Sequence, residues 1–236
     1  MTTLRLQGIN EDIDAGTEDV CDVGGTYTGQ PVLPTQAAEA LNIVSSSAND
    51  AAAGTGQRTL RIEGLNADGV YTEETVTLTG TTPVVTTSTW VRVLRSFGLT
   101  AGSGAVNAGA ITIKHNVTTA NVFAVIKAGR AQALLAAVTV PASKTGRITS
   151  WTAQVYGLNA TAAGEGLAEL LVRPYGANQS WRVLRSMPVP AVPTTAVEDE
   201  IDGDGLAIAA MSDVKVRFTS AATANTFVRA DINITW

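Results

Sequence analysis

Thr59-Leu60-Arg61-Ile62-Glu63 and Glu74-Thr75-Val76-Thr77-Leu78-Thr79, with Leu65-Asn66-Ala67-Asp68-Gly69 between them, decide the fold class. In both runs apolar and polar side chains alternate with a period of two, the pattern of a strand with one face in a core and the other in water. The Asp68-Gly69 pair can adopt the positive φ values that a tight hairpin turn demands. Residues 59–79 are therefore predicted to form a β-hairpin.

The same punctuation runs through the rest of the chain. Trp90-Val91-Arg92-Val93-Leu94-Arg95 repeats the alternation, and Ala110 to Lys114 and Val122 to Ile126 follow across a glycine-rich loop at Gly98 to Gly109. Further candidate strands are Ala133 to Val140, Arg147 to Tyr156, Leu167 to Val172, Ser180 to Met187, Val214 to Phe218 and Thr226 to Ile234. Pro141, Pro174, Pro188, Pro190 and Pro193 fall between the predicted runs or at their ends, where a residue without an N–H does least harm to a ladder. Ala131 to Ala137 also suits a helical turn, because Ala and Leu favour one. Its continuation through Val138-Thr139-Val140 into Pro141 favours a strand.

Residues 1–57 read differently. They hold the acidic stretch Glu11 to Asp22, Gly24-Gly25, Pro31, Pro34 and the polar run Ser45 to Asp50. The expectation is an N-terminal arm with one short strand near residues 40–44, ordered by lying on a partner. Two β-sandwich or jelly-roll-like units, residues 58–130 and 131–236, complete an all-β chain. Echoes in matching order raise duplication of those units: Gly64-Leu65-Asn66-Ala67 with Gly157-Leu158-Asn159-Ala160, Trp90 to Ser96 with Trp181 to Ser186, and Thr119-Ala120-Asn121 with Thr223-Ala224-Asn225. Chance recurrence in a low-diversity sequence is the alternative.

Composition narrows the function classes. Charged residues make up 16% of the 236, below the ~25% of ordinary soluble domains, and the net charge is −5. Apolar residues reach 45%, which excludes a disordered chain. The acidic balance argues against direct nucleic-acid binding, whose affinity comes from counterions released by Lys and Arg. The apolar stretch Ala131 to Pro141 is too short to span a bilayer, so no membrane partner is expected, and no signal-peptide core follows Met1. Cys21, the one cysteine, precludes an intrachain disulfide and a thiolate metal cluster.

Catalytic signatures are sparse. His115 is the one histidine and has no Cys, Asp or Glu within several residues, so a triad is not expected. Gly102-Ser103-Gly104 lacks the lysine and helix of a phosphate loop. Glu63, Glu73, Glu74, Glu165 and Glu169 could supply a carboxylate pair for glycoside hydrolysis, but sequence spacing does not set their separation. The run from Glu198 to Gly205 offers Asp199, Asp202 and Asp204 as weak oxygen ligands for Ca²⁺, without the closing acid of an EF-hand; a solvated loop is the plainer reading. No enzyme activity and no cofactor are expected.

The two Trp-Arg motifs carry the interface candidates. Trp90, Arg92 and Arg95, and Trp181, Arg182 and Arg185, are residue types enriched at binding hot spots. The plainer reading puts each tryptophan in a core and the arginines in water.

The string from Ser45 to Leu65, then Glu74 to Val84, then Val138 to Gly146 followed by Trp151, resembles structural proteins of tailed bacteriophage virions. The resemblance covers residues 45–235 in pattern. It implies a non-enzymatic β-sandwich protein of capsid decoration, head fibre or tail, located in the virion after assembly in the host bacterial cytoplasm. It also implies other virion proteins, such as the major capsid protein, as partners, and a homo-oligomer, with a trimer favoured. A tail-associated receptor- or carbohydrate-binding module is the alternative.

Overall fold

The structure is a computed structural model that describes residues 2–13, 16–158, 166–190, 196–201, 203–220 and 226–236. Its strands are β1 (Thr3–Ile13), β2 (Gly16–Asp19), β3 (Glu39–Ser45), β4 (Gln57–Leu65), β5 (Tyr71–Thr77), β6 (Val84–Trp90), β7 (Arg92–Ala101), β8 (Ile111–His115), β9 (Val122–Ile126), β10 (Ala137–Thr139), β11 (Gly146–Leu158), β12 (Gly166–Arg173), β13 (Arg182–Val189), β14 (Ala196–Glu200), β15 (Leu206–Ile208), β16 (Asp213–Ser220) and β17 (Thr226–Thr235). The fold is all-β, with no helix among the described residues.

The chain forms two compact units, and their boundaries correct the expected ones. One unit, here the terminal unit, combines Met1–Tyr27 with Leu135–Trp236; the other, the inserted unit, is Thr28–Leu134. Residues 1–57 are accordingly no arm. β1 pairs antiparallel with β17 from Thr3↔Thr235 to Ile13↔Thr226, and β2 pairs with β16. The alternation Leu4, Leu6 places two buried side chains in the terminal core. The acidic stretch that suggested an arm follows these anchors without loosening them.

In the terminal unit one sheet runs β1-β17-β11-β14, with β15 also on β11, and the other runs β10-β16-β12-β13, with β2 also on β16. Val228, Ala230, Ile232 and Ile234 of β17 are fully buried, as are Trp151 and Ala153 of β11. Leu170, Val214 and Val216 supply buried side chains from the second sheet. Gly8 lies where β1 meets the other sheet: a Cβ there would stand 2.1 Å from the Val20 carbonyl oxygen and 2.4 Å from Ala136 N. Only glycine permits that approach.

The inserted unit packs the sheet β6-β3-β8-β9 over the sheet β5-β4-β7. Leu41, Ile43, Leu60, Ile62, Trp90, Ile111, Ile113, Phe123 and Ile126, all fully buried, form one core drawn from both sheets. The predicted hairpin is present as β4 and β5, in register from Thr59↔Thr77 to Leu65↔Tyr71, with Gly69 at φ 70° in the turn. The stretch at Trp90 is a corner rather than one strand: β6 ends at Trp90 and β7 begins at Arg92. Residues 131–136 contain no helix; Leu135 makes an isolated bridge to Cys21 before β10 starts.

The echoed motifs stand at unlike places. Gly64-Leu65 ends β4, which turns into its own sheet partner β5, whereas Gly157-Leu158 ends β11, whose successor β12 belongs to the other sheet. Asn121 lies between the paired strands β8 and β9, while residues 221–225 connect β16 and β17 of different sheets and lie outside the described residues.

Candidate functional site

The six Trp-Arg candidates are divided between the units. In the inserted unit Trp90 is fully buried, and its Nε1 donates to Thr86 Oγ1 at 3.3 Å. Arg92 is buried as well; its guanidinium donates to the carbonyls of Val91 at 2.7 Å and Pro31 at 2.6 Å, which makes it a core brace. Arg95 is exposed, pairs with Glu63 at 3.4 Å and lies 5.3 Å from the Phe97 ring centroid. In the terminal unit Arg182 and Arg185 are exposed on β13, and Trp181 just before it is half-buried.

Trp181 covers a buried charge cluster on β2, β10, β12 and β16. Arg173 Nη2 donates to Asp213 Oδ2 at 2.6 Å, and Thr139 Oγ1 donates to Asp213 Oδ1 at 2.6 Å. Lys215 Nζ donates to Asp19 Oδ2 at 2.7 Å, which also accepts from Tyr27 N at 2.7 Å. The Trp181 ring centroid lies 4.7 Å from the Arg173 guanidinium and 4.5 Å from the Lys215 ammonium. Two cations face two anions, so the cluster is neutral. Burying them costs desolvation, and removing one partner would strand the other. In sequence, Asp213-Val214-Lys215-Val216-Arg217 looks like a solvated strand face; a cover supplied by the distant Trp181 leaves no local signal.

Two polar centres organise the inserted unit. Asp50 is fully buried, with Oδ1 accepting from Gln57 N and Ala108 N at 2.8 Å each, and Oδ2 accepting from Ser45 Oγ at 2.6 Å and Gly109 N at 2.9 Å. Burial pushes its carboxyl up, but the hydrogen bonds from Ser45 and the three amides outweigh that and hold it below the ordinary value. His115 is also fully buried. Its Nε2 lies 3.1 Å from the Trp90 carbonyl and must donate, so Nδ1 is the acceptor for the amides of Gln36 and Asn121, each at 3.3 Å. Burial lowers its basicity, and the ring stacks edge-on against Phe123 at 4.6 Å. Neutral and held on both nitrogens, His115 is a core bracket. The Ser45 to Asp50 run carried the one local hint of the Asp50 centre.

The first part of the acidic run, Glu198 to Glu200, lies in a strand, and Gly203-Asp204 follow in a turn. β14 pairs with β11 from Ser150↔Glu200 to Gln154↔Ala196. Asp199 accepts from Trp151 Nε1 at 2.9 Å, Glu198 and Glu200 are exposed, and Asp204 is exposed with its carbonyl taking Arg147 Nη1 at 3.1 Å. Asp202 lies outside the described residues. No group of three or more His, Cys, Asp or Glu side chains is placed to hold a metal ion among the described residues. Burial, reinforced by the Asp19 charge, pushes the Cys21 thiol up to about 12, far from a nucleophile.

Among the carboxylate candidates, Glu63 and Glu73 face each other across β4 and β5. Arg95 pairs with Glu63 and Arg61 with Glu73. Tyr71, beside them, has its phenol pushed up to about 12 by burial, then by the charge of Glu63 and a hydrogen bond to it. Tyr71, Glu73 and Arg95 are exposed, while Glu63 beneath them is buried. Glu74 accepts from Thr87 N and Ser88 N, Glu169 pairs with Arg217 at 2.7 Å, and Glu165 lies outside the described residues.

No family model matches the chain, and no curated protein matches it. Solved structures similar to it include the infectious bursal disease virus VP2 subviral particle, at 10% identity over 99% of this chain and 80% of that chain with a TM-score of 0.14. The Gx strain of the same virus gives 11% identity over 99% and 79%, with a TM-score of 0.14.

Proposed function

We propose that this chain is a non-enzymatic virion structural protein, a capsid decoration or minor head protein that binds the particle and stabilises it. The observation that carries this role is where the reactive side chains go. Asp50, His115, Asp19, Lys215, Arg173 and Asp213 are all buried and all hydrogen-bonded or ion-paired to the protein's own groups. A catalyst keeps such groups poised toward a substrate; here they brace two β-rich units. The resemblance of residues 45–235 to phage virion proteins points the same way. A protein that binds only the assembled shell stabilises it by mass action.

The exposed side chains Tyr71, Glu73 and Arg95, with the buried Glu63 holding Arg95, favour a second reading, a tail-associated module that takes a carbohydrate, since such sites combine an aromatic face with fixed polar groups. Co-sedimentation of the purified protein with empty capsids, beside a glycan-array measurement, tests the choice. Saturable binding to capsids supports decoration. Glycan binding without capsid binding supports the receptor role.

A further inference from the structure

We propose that the β13–β14 edge of the terminal unit docks against the same edge of a second copy of this chain, with β13 of each copy facing β14 of the other. Both strands end their sheets: β13 pairs only with β12 and β14 only with β11 among the described residues. Their outer rows of N–H and C=O groups therefore lack a strand partner, the condition under which edges recruit another chain. The two strands also contact each other, so both lie on one side of the sandwich.

Charge supplies the partner. β13 presents Arg182 and Arg185, both exposed, and no ion pair forms at either among the described residues. β14 presents Glu198 and Glu200, both exposed and likewise without an ion pair. Asp199 between them is tied inward to Trp151, which fixes the strand that carries the two glutamates. Val183, also on β13, is 49% exposed and adds apolar surface to the edge strand.

Because one edge carries both signs, it is complementary to itself. A two-fold axis along the strands sets arginine opposite glutamate twice over. An axis across the sheets would set like charges together, and a three-fold ring would need the second sign on a different face. Paired dimers thus follow from this edge, in place of the trimer that the family resemblance implies. The proposal does not depend on where the protein sits on a particle, so dimerisation without capsid binding would count against the decoration role alone.

The test uses the full chain in sedimentation velocity. Wild type is expected to sediment as a dimer that weakens as salt rises. Arg182→Glu/Arg185→Glu makes both strands acidic, and Glu198→Arg/Glu200→Arg makes both basic; each variant alone is expected to be monomeric with an unchanged far-ultraviolet circular dichroism spectrum. Mixed one to one, the two variants are expected to form a heterodimer. A monomeric wild type at its highest soluble concentration overturns the proposal, as do variants that dimerise like wild type or a mixture that stays monomeric.

Discussion

Trp151 Nε1 donates to the Asp199 carboxylate at 2.9 Å, joining a fully buried indole of β11 to the edge strand β14. A residue whose type and neighbours suggest a Ca²⁺ ligand is thereby engaged in the fold. Titration with Ca²⁺ should give no heat beyond dilution, and Asp199→Asn should lower stability by about 1 kcal/mol through the weakened hydrogen bond. Saturable heat abolished by the same substitution would show the opposite assignment.

Asp50 ties the Ser45–Gln57 segment to the loop at Ala108 and Gly109. Replacing it with alanine leaves three amides, two of them buried, and a buried hydroxyl without their acceptor, at a cost of about 3 kcal/mol. Urea unfolding should show a lower midpoint with an unchanged slope. An unchanged midpoint would mean that water replaces the carboxylate without loss.

Stability should decline on acidification. Hydrogen bonds that outweigh burial hold Asp50, Glu39 and Glu74 below the ordinary carboxylate value, and burial holds His115 below the ordinary histidine value. In each case the unfolded chain binds protons first, so the contribution is complete above the unfolded pKa and is lost as pH falls through the folded one. The histidine contribution should begin to drop near pH ~6.5 and the carboxylate contributions near pH ~4. Thermal midpoints of wild type and His115→Gln across pH 3–8 (roughly the span set by those values) should converge as pH falls; parallel curves would exclude a neutral buried histidine.

Lys215 and Asp19 form one buried ion pair of the cluster beneath Trp181. Lys215→Met should cost about 3–5 kcal/mol, since Asp19 would remain buried and charged. The double substitution Lys215→Met/Asp19→Leu should recover much of that loss. Equal destabilisation by both would show that packing, not charge, governs the site.

Alternating strands were legible in the sequence: Leu60 and Ile62 of β4 enter the core, while Arg61 between them is only partly buried on the other face. β1 alternates just as clearly at Leu4 and Leu6, but its partner β17 lies at the far end of the chain, and the acids that follow have the composition of a solvated arm. β14 was hidden because its inward position 199 carries a charge, acceptable only where an indole N–H meets it. The candidate site was less legible still. Arg92 and Lys215 have the residue type of a surface and the environment of a core, and only the tertiary positions of Pro31, Asp19 and Trp181 make that possible.

The location of the chain on a particle bears most directly on its role. Immunogold labelling of intact virions with antibody to this protein should decorate heads over their whole surface, in many copies per particle. Label confined to tail tips, or virions that carry none of the protein while the host lysate does, would contradict a role in stabilising the capsid.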